Sequence, residues 1–386
     1  MDNPLLGPGL ERLRERRSVK WRAYDPDVLP LWVAEMDVVP APAVQRAVRD
    51  AVEAGDTGYP WAPDFFEALA SFAKERWDWS PSPAAMSLVP DVMLGVVEVL
   101  RLFTDPGGPV VVNSPVYPPY FQFVTSMGRR VVEAPLGPDG RLDPANLERA
   151  FGAATADGER AAYLLCSPQN PTGTVHTAAE LTAAFELAER YAVRVVVDEI
   201  HAPLVPAGAT FTPAVALGAG SRVVSVLSAS KAFNLAGLKA AIAVAGPEAV
   251  ADLRQVPEEV THGASHLGVI AQSAAYREGG EWLDALLVGL DENRRLLETI
   301  VAQRLPDVAY RPPEATFLAW LDFTGIPELG DDPAAVLLEH GRVALHSGPA
   351  FGFGGPGHAR LNFGTSPDIL GEAVDRIATG IAAVRG

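Results

Sequence analysis

The 386-residue sequence predicts an α/β fold, with a mostly parallel mixed sheet flanked by helices and a smaller α+β domain. Three observations lead to this expectation. Between about residues 88 and 246, short valine-rich runs alternate with helical patterns. Several of these runs are apolar throughout, as is typical of strands that are buried on both faces of a sheet. The chain is also longer than one typical core, so two domains are expected.

Six apolar runs predict the strands of the main sheet. They cover residues 109–113, 130–134, 162–166, 193–198, 222–227 and 240–245. Between the third and fourth runs, Thr177 and Glu180 have the spacing of a capping box, which predicts a helix that ends near Tyr191. Strands joined by helices in this way indicate a mostly parallel sheet.

The remaining sequence predicts the smaller domain. Residues 281–305 form a long helical pattern, which we expect to connect the two domains. Three short strands are expected after it, at 317–323, 343–345 and 359–363. Residues 1–40 are too few to fold alone. We therefore expect a large domain at 41–280, and a small domain formed by 1–40 together with 281–386.

The composition excludes several classes of protein. There are 31 Lys and Arg residues against 48 Asp and Glu residues, a net charge of −17, which repels nucleic-acid phosphates. No apolar run approaches the length of a membrane span, and no secretion signal is recognisable. The one cysteine, Cys166, lies in an apolar run and is expected to be a buried thiol in a reducing compartment. We expect a cytoplasmic protein.

The segment that follows residues 222–227 suggests the chemistry. Lys231 comes directly after this apolar run, where burial would lower the pKa of its amine and leave it free to form an imine. The hydroxyls of Ser228 and Ser230 and the second cation, Lys239, suit a phosphate. Together they predict a site for pyridoxal 5'-phosphate (PLP). The alternative is a surface lysine that caps a turn.

Two more polar side chains follow predicted strands, at the sheet edge where α/β proteins bind ligands. Asp198 closes one strand, and its carboxylate can keep a pyridine nitrogen protonated. The alternatives are a helix cap or a metal ligand, and no further His or Cys cluster supports a metal. Asn170 lies in an Asn-Pro-Thr-Gly turn that can direct its amide to the phenolic oxygen of the cofactor, or be a turn only.

Three other segments are candidates for the same site. Tyr117 follows a strand and can stack on a planar ring, or be an ordinary loop residue. Val92 and Met93 begin a predicted helix whose free N–H groups can bind a phosphate. Arg360, in the smaller domain, can bind a substrate carboxylate in a bidentate pair, or form a surface salt bridge.

The order and spacing of these motifs resemble the fold-type I PLP enzymes. The closer resemblance is to cystathionine β-lyases of the MalY/PatB type, a branch of the class I/II aminotransferase superfamily. It rests on four segments, 16–21, 29–37, 57–60 and 198–201, and extends from about residue 11 to residue 375.

This resemblance implies a role for each candidate residue. Lys231 would be the Schiff-base lysine, Asp198 the partner of the pyridine nitrogen, and Tyr117 the stacking ring. The other implied cofactor contacts are Asn170, Val92, Met93, Ser228, Ser230, Lys239, Tyr59 and His201. Arg360, Asn170 and Tyr59 would bind the substrate. Such enzymes are usually homodimers, and Tyr59 would reach the phosphate from the second subunit.

The implied reaction is α,β-elimination of cystathionine or another S-substituted cysteine to pyruvate, ammonia and a thiol. Transamination of an amino acid is the alternative, because it uses the same residues. A non-catalytic PLP-fold binding protein is disfavoured, since it would not need the imine lysine. Lys239 stands where many fold-type I enzymes have arginine, and Ala202-Pro203 departs from the branch, so the leaving thiol stays open.

Overall fold

A seven-stranded sheet forms the centre of the molecule in the computed structural model, which describes residues 2–386. In spatial order its strands are β2 (Met86–Val89), β8 (Ala241–Ala245), β7 (Val224–Leu227), β6 (Arg194–Asp198), β5 (Ala162–Cys166), β3 (Pro109–Val112) and β4 (Arg130–Glu133). β8 runs antiparallel to both of its neighbours, whereas all the other pairings are parallel. The parallel strands therefore all end at one edge of the sheet.

Helices cover both faces of this sheet because the side chains of each strand alternate between two apolar layers. Val110 and Val112 pack in the layer of one face, and Val111 packs in that of the other. The helices that precede the long connection are α1 (Leu10–Arg14), α2 (Val19–Arg22), α3 (Pro42–Glu53), α4 (Ala62–Trp77), α5 (Val92–Phe103), α6 (Pro119–Ser126), α7 (Pro144–Thr155), α8 (Ala178–Arg190), α9 (Val250–Leu253), α10 (Glu258–Thr261) and α11 (His266–Glu278). α5 packs on one face and α7 and α8 on the other.

A second, antiparallel sheet of four strands follows the long helix α12 (Gly280–Arg304). In spatial order its strands are β12 (His346–Ser347), β13 (His358–Asn362), β10 (Leu318–Asp322) and β9 (Ala309–Tyr310). Near it, β1 (Leu29–Pro30) pairs in parallel with β11 (Val343–Ala344), which ties the N-terminal segment to this part of the chain. The last two helices are α13 (Pro333–Gly341) and α14 (Pro367–Arg385), and they pack against each other.

The predicted fold class is confirmed. All six predicted strands lie in the main sheet, each within two residues of its expected bounds. α8 begins with the predicted capping box, in which the Thr177 hydroxyl accepts from Glu180 N at 3.2 Å. β2 and the two-residue strands β1, β9 and β12 were not predicted. The division at residues 41–280 stays a prediction. No helix within residues 2–386 has the length and apolar character needed to cross a membrane.

Candidate active site

An open cleft lies at the edge where the parallel strands end, with about 700 Å³ of empty space that includes the solvent at its mouth. The structure brings nine of the predicted site residues into its wall: Val92, Met93, Tyr117, Asn170, Asp198, His201, Ser230, Lys231 and Lys239. Their convergence follows from topology, because residues that end neighbouring parallel strands meet at one edge.

Asp198 is the last residue of β6 and is buried. Its Oδ1 accepts a hydrogen bond from Ile200 N at 3.0 Å, and its Oδ2 accepts one from the Tyr120 hydroxyl at 2.9 Å. Burial raises the pKa of this carboxyl to about 6, against the two hydrogen bonds and the charge of Lys231, which lower it. The carboxylate is thus mostly ionised at neutral pH and keeps lone pairs for a cationic partner.

Lys231 lies in the turn that follows β7. Its Nζ donates to the backbone oxygen of Ala34 at 2.8 Å. Burial and the charge of Arg360 lower the pKa of this amine to about 8, while the Asp198 carboxylate raises it. A substantial fraction of Lys231 is therefore a neutral nucleophile near pH 8.

The segment that carries Ala34 is held by two asparagines, which bind the backbone of residues on either side of it. The Asn234 side chain accepts from Met36 N at 2.8 Å and donates to Met36 O at 2.9 Å. Asn362 Nδ2 donates to Val33 O at 2.8 Å. This part of the N-terminal segment is thereby fixed at the cleft wall, where the Ala34 carbonyl accepts from Lys231.

Arg360 is buried on β13, beside the cleft. Its Nη1 donates to Asn170 Oδ1 at 2.9 Å, and its Nη2 donates to Trp32 O and to His346 Nδ1, both at 3.0 Å. Burial lowers the pKa of the guanidinium to about 10, so the cation persists at neutral pH. Its Nε is buried without a hydrogen-bond partner among the described residues, and three of the five N–H donors are used, so two donors are left for an anion.

The amide of Asn170 is oriented by this contact. Because its oxygen accepts from Arg360, its NH₂ group keeps donors for another acceptor in the cleft. Tyr117 lines the same cleft, and its ring centroid is 5.9 Å from that of Tyr120. Burial raises the pKa of the Tyr117 hydroxyl, so it stays protonated.

The N-terminus of α5 points its first N–H groups, those of Val92 and Met93, at the cleft. Asp91 caps this helix through Oδ1, which accepts from Leu94 N at 2.9 Å. Its Oδ2 accepts from Lys239 Nζ at 2.9 Å. Lys239 therefore offsets the negative charge of Asp91 at this end of the cleft.

His201 and Cys166 also line the cleft, and both are buried. Burial, together with the charges of Lys231 and Arg360, lowers the pKa of His201 to about 3, so the imidazole is neutral. Its Nδ1 has no hydrogen-bond partner among residues 2–386. The expected burial of the Cys166 thiol is confirmed, and burial raises its pKa, which keeps it protonated.

Three of the predicted site residues are not in the cleft wall: Arg360, described above, Ser228 and Tyr59. Ser228 is buried, and its hydroxyl lies 2.9 Å from both Ala240 O and Gln272 Oε1, so its one proton is donated to either of these acceptors. Tyr59 is 83% exposed, and its ring centroid is 5.7 Å from that of His262. Tyr120, which binds Asp198, was not predicted, although its place three residues after Tyr117 in the same post-strand segment was an available signal.

The donor set fits PLP. Asp198 supplies an anion for a pyridinium, and Lys231 supplies an amine for an aldehyde. At the α5 end, the N–H groups of the first turn, the Ser230 hydroxyl and the Lys239 cation suit a phosphate. Within residues 2–386, no group of three His, Cys, Asp or Glu side chains is arranged to hold a metal ion.

Comparisons with known proteins agree with this assignment. The family model for aminotransferase class I and II matches residues 27–377. A Mycobacterium leprae protein named "Putative cystathionine beta-lyase" is 53% identical over 99% of this chain and 99% of its own length. Cystathionine beta-lyase PatB of Bacillus subtilis is 32% identical, over 95% of this chain and 97% of its own, and protein MalY of Escherichia coli is 32% identical, over 93% of each.

A solved structure gives the same picture. The crystal structure of a Corynebacterium diphtheriae protein, described as a "putative plp-dependent beta-cystathionase", superposes with a TM-score of 0.90 at 36% identity, over 97% of this chain and 98% of that one. The chain therefore belongs to the aminotransferase class I and II family and, within it, to the cystathionine beta-lyases of the PatB and MalY type. The resemblance predicted from the motifs is confirmed.

Proposed function

We propose that this protein is a PLP-dependent carbon–sulfur β-lyase. It would cleave cystathionine or another S-substituted cysteine to pyruvate, ammonia and a thiol. The observation that carries the proposal is the Lys231 amine, whose pKa is about 8, in one cleft with the Asp198 carboxylate and beside the buried Arg360 guanidinium. Membership among the cystathionine beta-lyases favours elimination over transamination.

When bound, PLP supplies an aldehyde that joins the substrate amine and a cationic ring that withdraws electrons from the substrate Cα. Asp198 would keep the ring nitrogen protonated, because its carboxylate is ionised above about pH 6. The Tyr120 hydroxyl holds one carboxylate oxygen and Ile200 N holds the other, which fixes the plane of the group. Asp198 is thus proposed as the residue that sustains electron withdrawal.

Lys231 is proposed both to attach the cofactor and to remove the Cα proton once the substrate amine has replaced it. Its lowered pKa supports this second role, since a base works best when its pKa is near the operating pH. Loss of that proton would allow the Cβ–S bond to break and release the thiol. The Ala34 carbonyl, 2.8 Å from Nζ, would orient the amine between these steps.

Arg360 is proposed to bind the substrate carboxylate. Its guanidinium is held by three acceptors, which are Asn170 Oδ1, Trp32 O and His346 Nδ1. A fixed guanidinium presents a defined donor direction, which orients the Cα–H bond of the substrate toward Lys231. Asn170 would use its free amide donors on the cofactor hydroxyl or on the substrate.

The remaining assignments divide between the ring and the phosphate. Tyr117 is proposed to stack on the ring, and His201 to contact it as a neutral imidazole. The amides of Val92 and Met93, the Ser230 hydroxyl and Lys239 would hold the phosphate. Ser228 would support that end indirectly, because its Oγ accepts from Ser230 N at 3.2 Å.

We further propose a cytoplasmic homodimer with shared active sites. Tyr59 and Trp61 are 83% and 64% exposed, which is unusual for large aromatic side chains. Within one chain Tyr59 lies outside the cleft wall, and we propose that it acts on the phosphate or substrate of a second subunit. The one free and buried cysteine is consistent with a reducing compartment.

The test compares two reactions of the purified, PLP-loaded protein. We expect pyruvate and an equimolar thiol from L-cystathionine or an S-alkyl cysteine, with little amino transfer to added 2-oxo acids. Lys231→Ala should abolish pyruvate release, and borohydride should attach the cofactor to Lys231 alone. Efficient amino transfer without pyruvate would instead establish an aminotransferase.

A further inference from the structure

Gln272, on α11, is fully buried, and its carboxamide makes four hydrogen bonds. Its Oε1 accepts from Ala229 N at 2.9 Å, and from Ser228 Oγ at 2.9 Å when that hydroxyl does not donate to Ala240 O. Its Nε2 donates to Leu238 O at 3.2 Å and to Ala240 O at 2.8 Å. All four partners belong to residues 228–240, the segment that leaves β7 and returns as β8 with Lys231 between its ends.

These bonds use both donors of the amide and both lone pairs of its oxygen. They therefore define one orientation, since the reversed amide would set its NH₂ group against Ala229 N–H and its oxygen against two carbonyls. The contacts hold the two ends of residues 228–240 together. Gln272 itself lies below the cleft and not in its wall, so it cannot contact a ligand there.

We propose that Gln272 is a positioning residue, which sets where the Lys231 amine stands and how firmly the cofactor is retained. The proposal deepens the function proposed above and rests on it. If Gln272 acts in this way, the consequences appear before any substrate is added. The spectrum and the retention of bound PLP should then depend on Gln272.

Two substitutions separate this role from general packing. Gln272→Leu removes all four hydrogen bonds and leaves Ala229 N and Leu238 O without a partner at every pH, while Ala240 O can still accept from Ser228 Oγ. Gln272→Glu keeps an acceptor for Ser228 and Ala229, but its carboxylate cannot donate to Leu238 O or Ala240 O. Only the protonated acid can donate once, and burial among carbonyls raises its pKa. The defect of Gln272→Glu should therefore grow as pH rises.

The matched control is Ser273→Ala on the next residue of α11. Ser273 is also buried, and its hydroxyl has no hydrogen-bond partner among residues 2–386. Removing that hydroxyl strands no group, so Ser273→Ala should behave as the wild type. The comparison keeps helix, burial and neighbourhood constant.

The experiment uses each protein loaded with PLP and no substrate. We would measure the pH titration of the visible absorption band of bound PLP and the rate of PLP loss on dialysis. We expect PLP loss about tenfold faster in Gln272→Leu, from the lost hydrogen bonds. Gln272→Glu should behave like the wild type at low pH and like Gln272→Leu at high pH.

Equal titration and equal retention in the wild type and in folded Gln272→Leu would overturn the proposal. If Gln272→Leu does not fold, the pH series of Gln272→Glu serves as the test. The rate of PLP loss from Gln272→Glu is then divided by that from the wild type at each pH. A ratio that does not change with pH would also overturn the proposal. Failure of the wild type itself to show a PLP band would instead refute the proposed function, so the two failures are distinguishable.

Discussion

At the scale of single residues, Tyr120 contributes to the ionisation of Asp198. The buried hydroxyl of Tyr120 donates to Asp198 Oδ2 at 2.9 Å and lowers a carboxyl pKa that burial alone would raise further. The phenol therefore acts together with Ile200 N and the charge of Lys231 to keep the Asp198 carboxylate ionised. The pH dependence of the site should accordingly respond to the loss of this one hydroxyl.

Removing the Tyr120 hydroxyl should shift the acidic limb of the pH–activity profile. In Tyr120→Phe the pKa of Asp198 rises above about 6, so the ionised fraction is lost at a higher pH as the solution is acidified. We expect the acidic limb of kcat/KM to shift upward by about one pH unit, the value of one hydrogen bond to a charge. Pyruvate assays between pH 5 and pH 9 measure this. Tyr163→Phe is the control, because Tyr163 is equally buried but binds Asn113 instead. An unchanged acidic limb in Tyr120→Phe would contradict the assignment.

Sequence reasoning reached Lys231, Asp198 and Asn170 because each follows a strand whose end can be predicted from apolar patterning. It did not reach Gln272 or the role of Ala34. Gln272 lies inside a helix with nothing local to distinguish it, and its partners are set by tertiary packing. Ala34 acts through its backbone oxygen, which every residue has. Contacts of these two kinds leave no local signal in a single sequence.

A second residue couples protonation to folding, outside the cleft. His176 is buried before α8, and neither ring nitrogen has a partner among residues 2–386. Burial lowers its pKa from 6.5 to about 4, with Arg141 acting in the same direction and Glu180 against it. As pH falls from 6.5 toward about 4, His176 therefore becomes protonated in the unfolded chain but stays neutral in the folded protein. Stability is lost over that window.

His176→Leu should relieve this acid sensitivity. The stability of the variant relative to the wild type should rise as pH falls from 6.5 to about 4, by up to about 3 kcal/mol. Unfolding midpoints measured at several pH values give the comparison. His340→Gln provides the control, since His340 is 41% exposed. Parallel pH curves for the wild type and His176→Leu would contradict the prediction.

At the scale of elements, short loops after strands do most of the positioning. The turn of residues 167–173 carries Asn170, and its last residue, Gly173, has a φ of +68°. Gly173 O accepts from Ala315 N at 2.9 Å, which joins the turn to the segment before β10. Asn170 and Arg360 thus meet because a turn of one sheet is attached to the other sheet. Sequence patterning predicted the turn but not this attachment.

Gly173→Ala should disrupt that attachment. A Cβ at this position would come within 2.2 Å of Pro313 Cβ and 2.8 Å of Ala315 O, and a positive φ is strained for alanine. We expect a destabilisation of about 1–3 kcal/mol and a larger loss of kcat/KM, as Asn170 moves away from Arg360. Unfolding midpoints and pyruvate release measure the two effects. Gly218→Ala is the control, because its Cβ would meet nothing within 4 Å. Equal activity in both variants would argue against a positioning role for the turn.

The four strands that the sequence did not predict are all short. The strands β1, β9 and β12 have two residues each, which is too short for any alternation to be recognised. β2 has four residues, and it completes the sheet by pairing antiparallel to β8, far away in sequence. Such strands exist because a neighbouring strand offers hydrogen bonds, and not because of their own composition.

At the scale of the whole molecule, we propose that each active site is shared between two chains. Tyr59 is 83% exposed and outside the cleft wall, while the resemblance assigns such a tyrosine to the phosphate of a neighbouring subunit. A C2 dimer would bury Tyr59 and complete both clefts reciprocally. We therefore predict that each active site combines Lys231 of one subunit with Tyr59 of the other.

Complementation tests this arrangement directly. Lys231→Ala and Tyr59→Ala, each inactive alone, are mixed under conditions of subunit exchange. In a heterodimer, one site carries both substituted residues and the other carries both intact ones, so equal mixing should restore about a quarter of wild-type activity. Exchange is verified with differently tagged chains, and a mixture of Lys231→Ala with Asp198→Ala is the control, because both residues belong to the same subunit's half of the site. Verified exchange without returning activity would mean that Tyr59 serves its own subunit or that the dimer is built on another face.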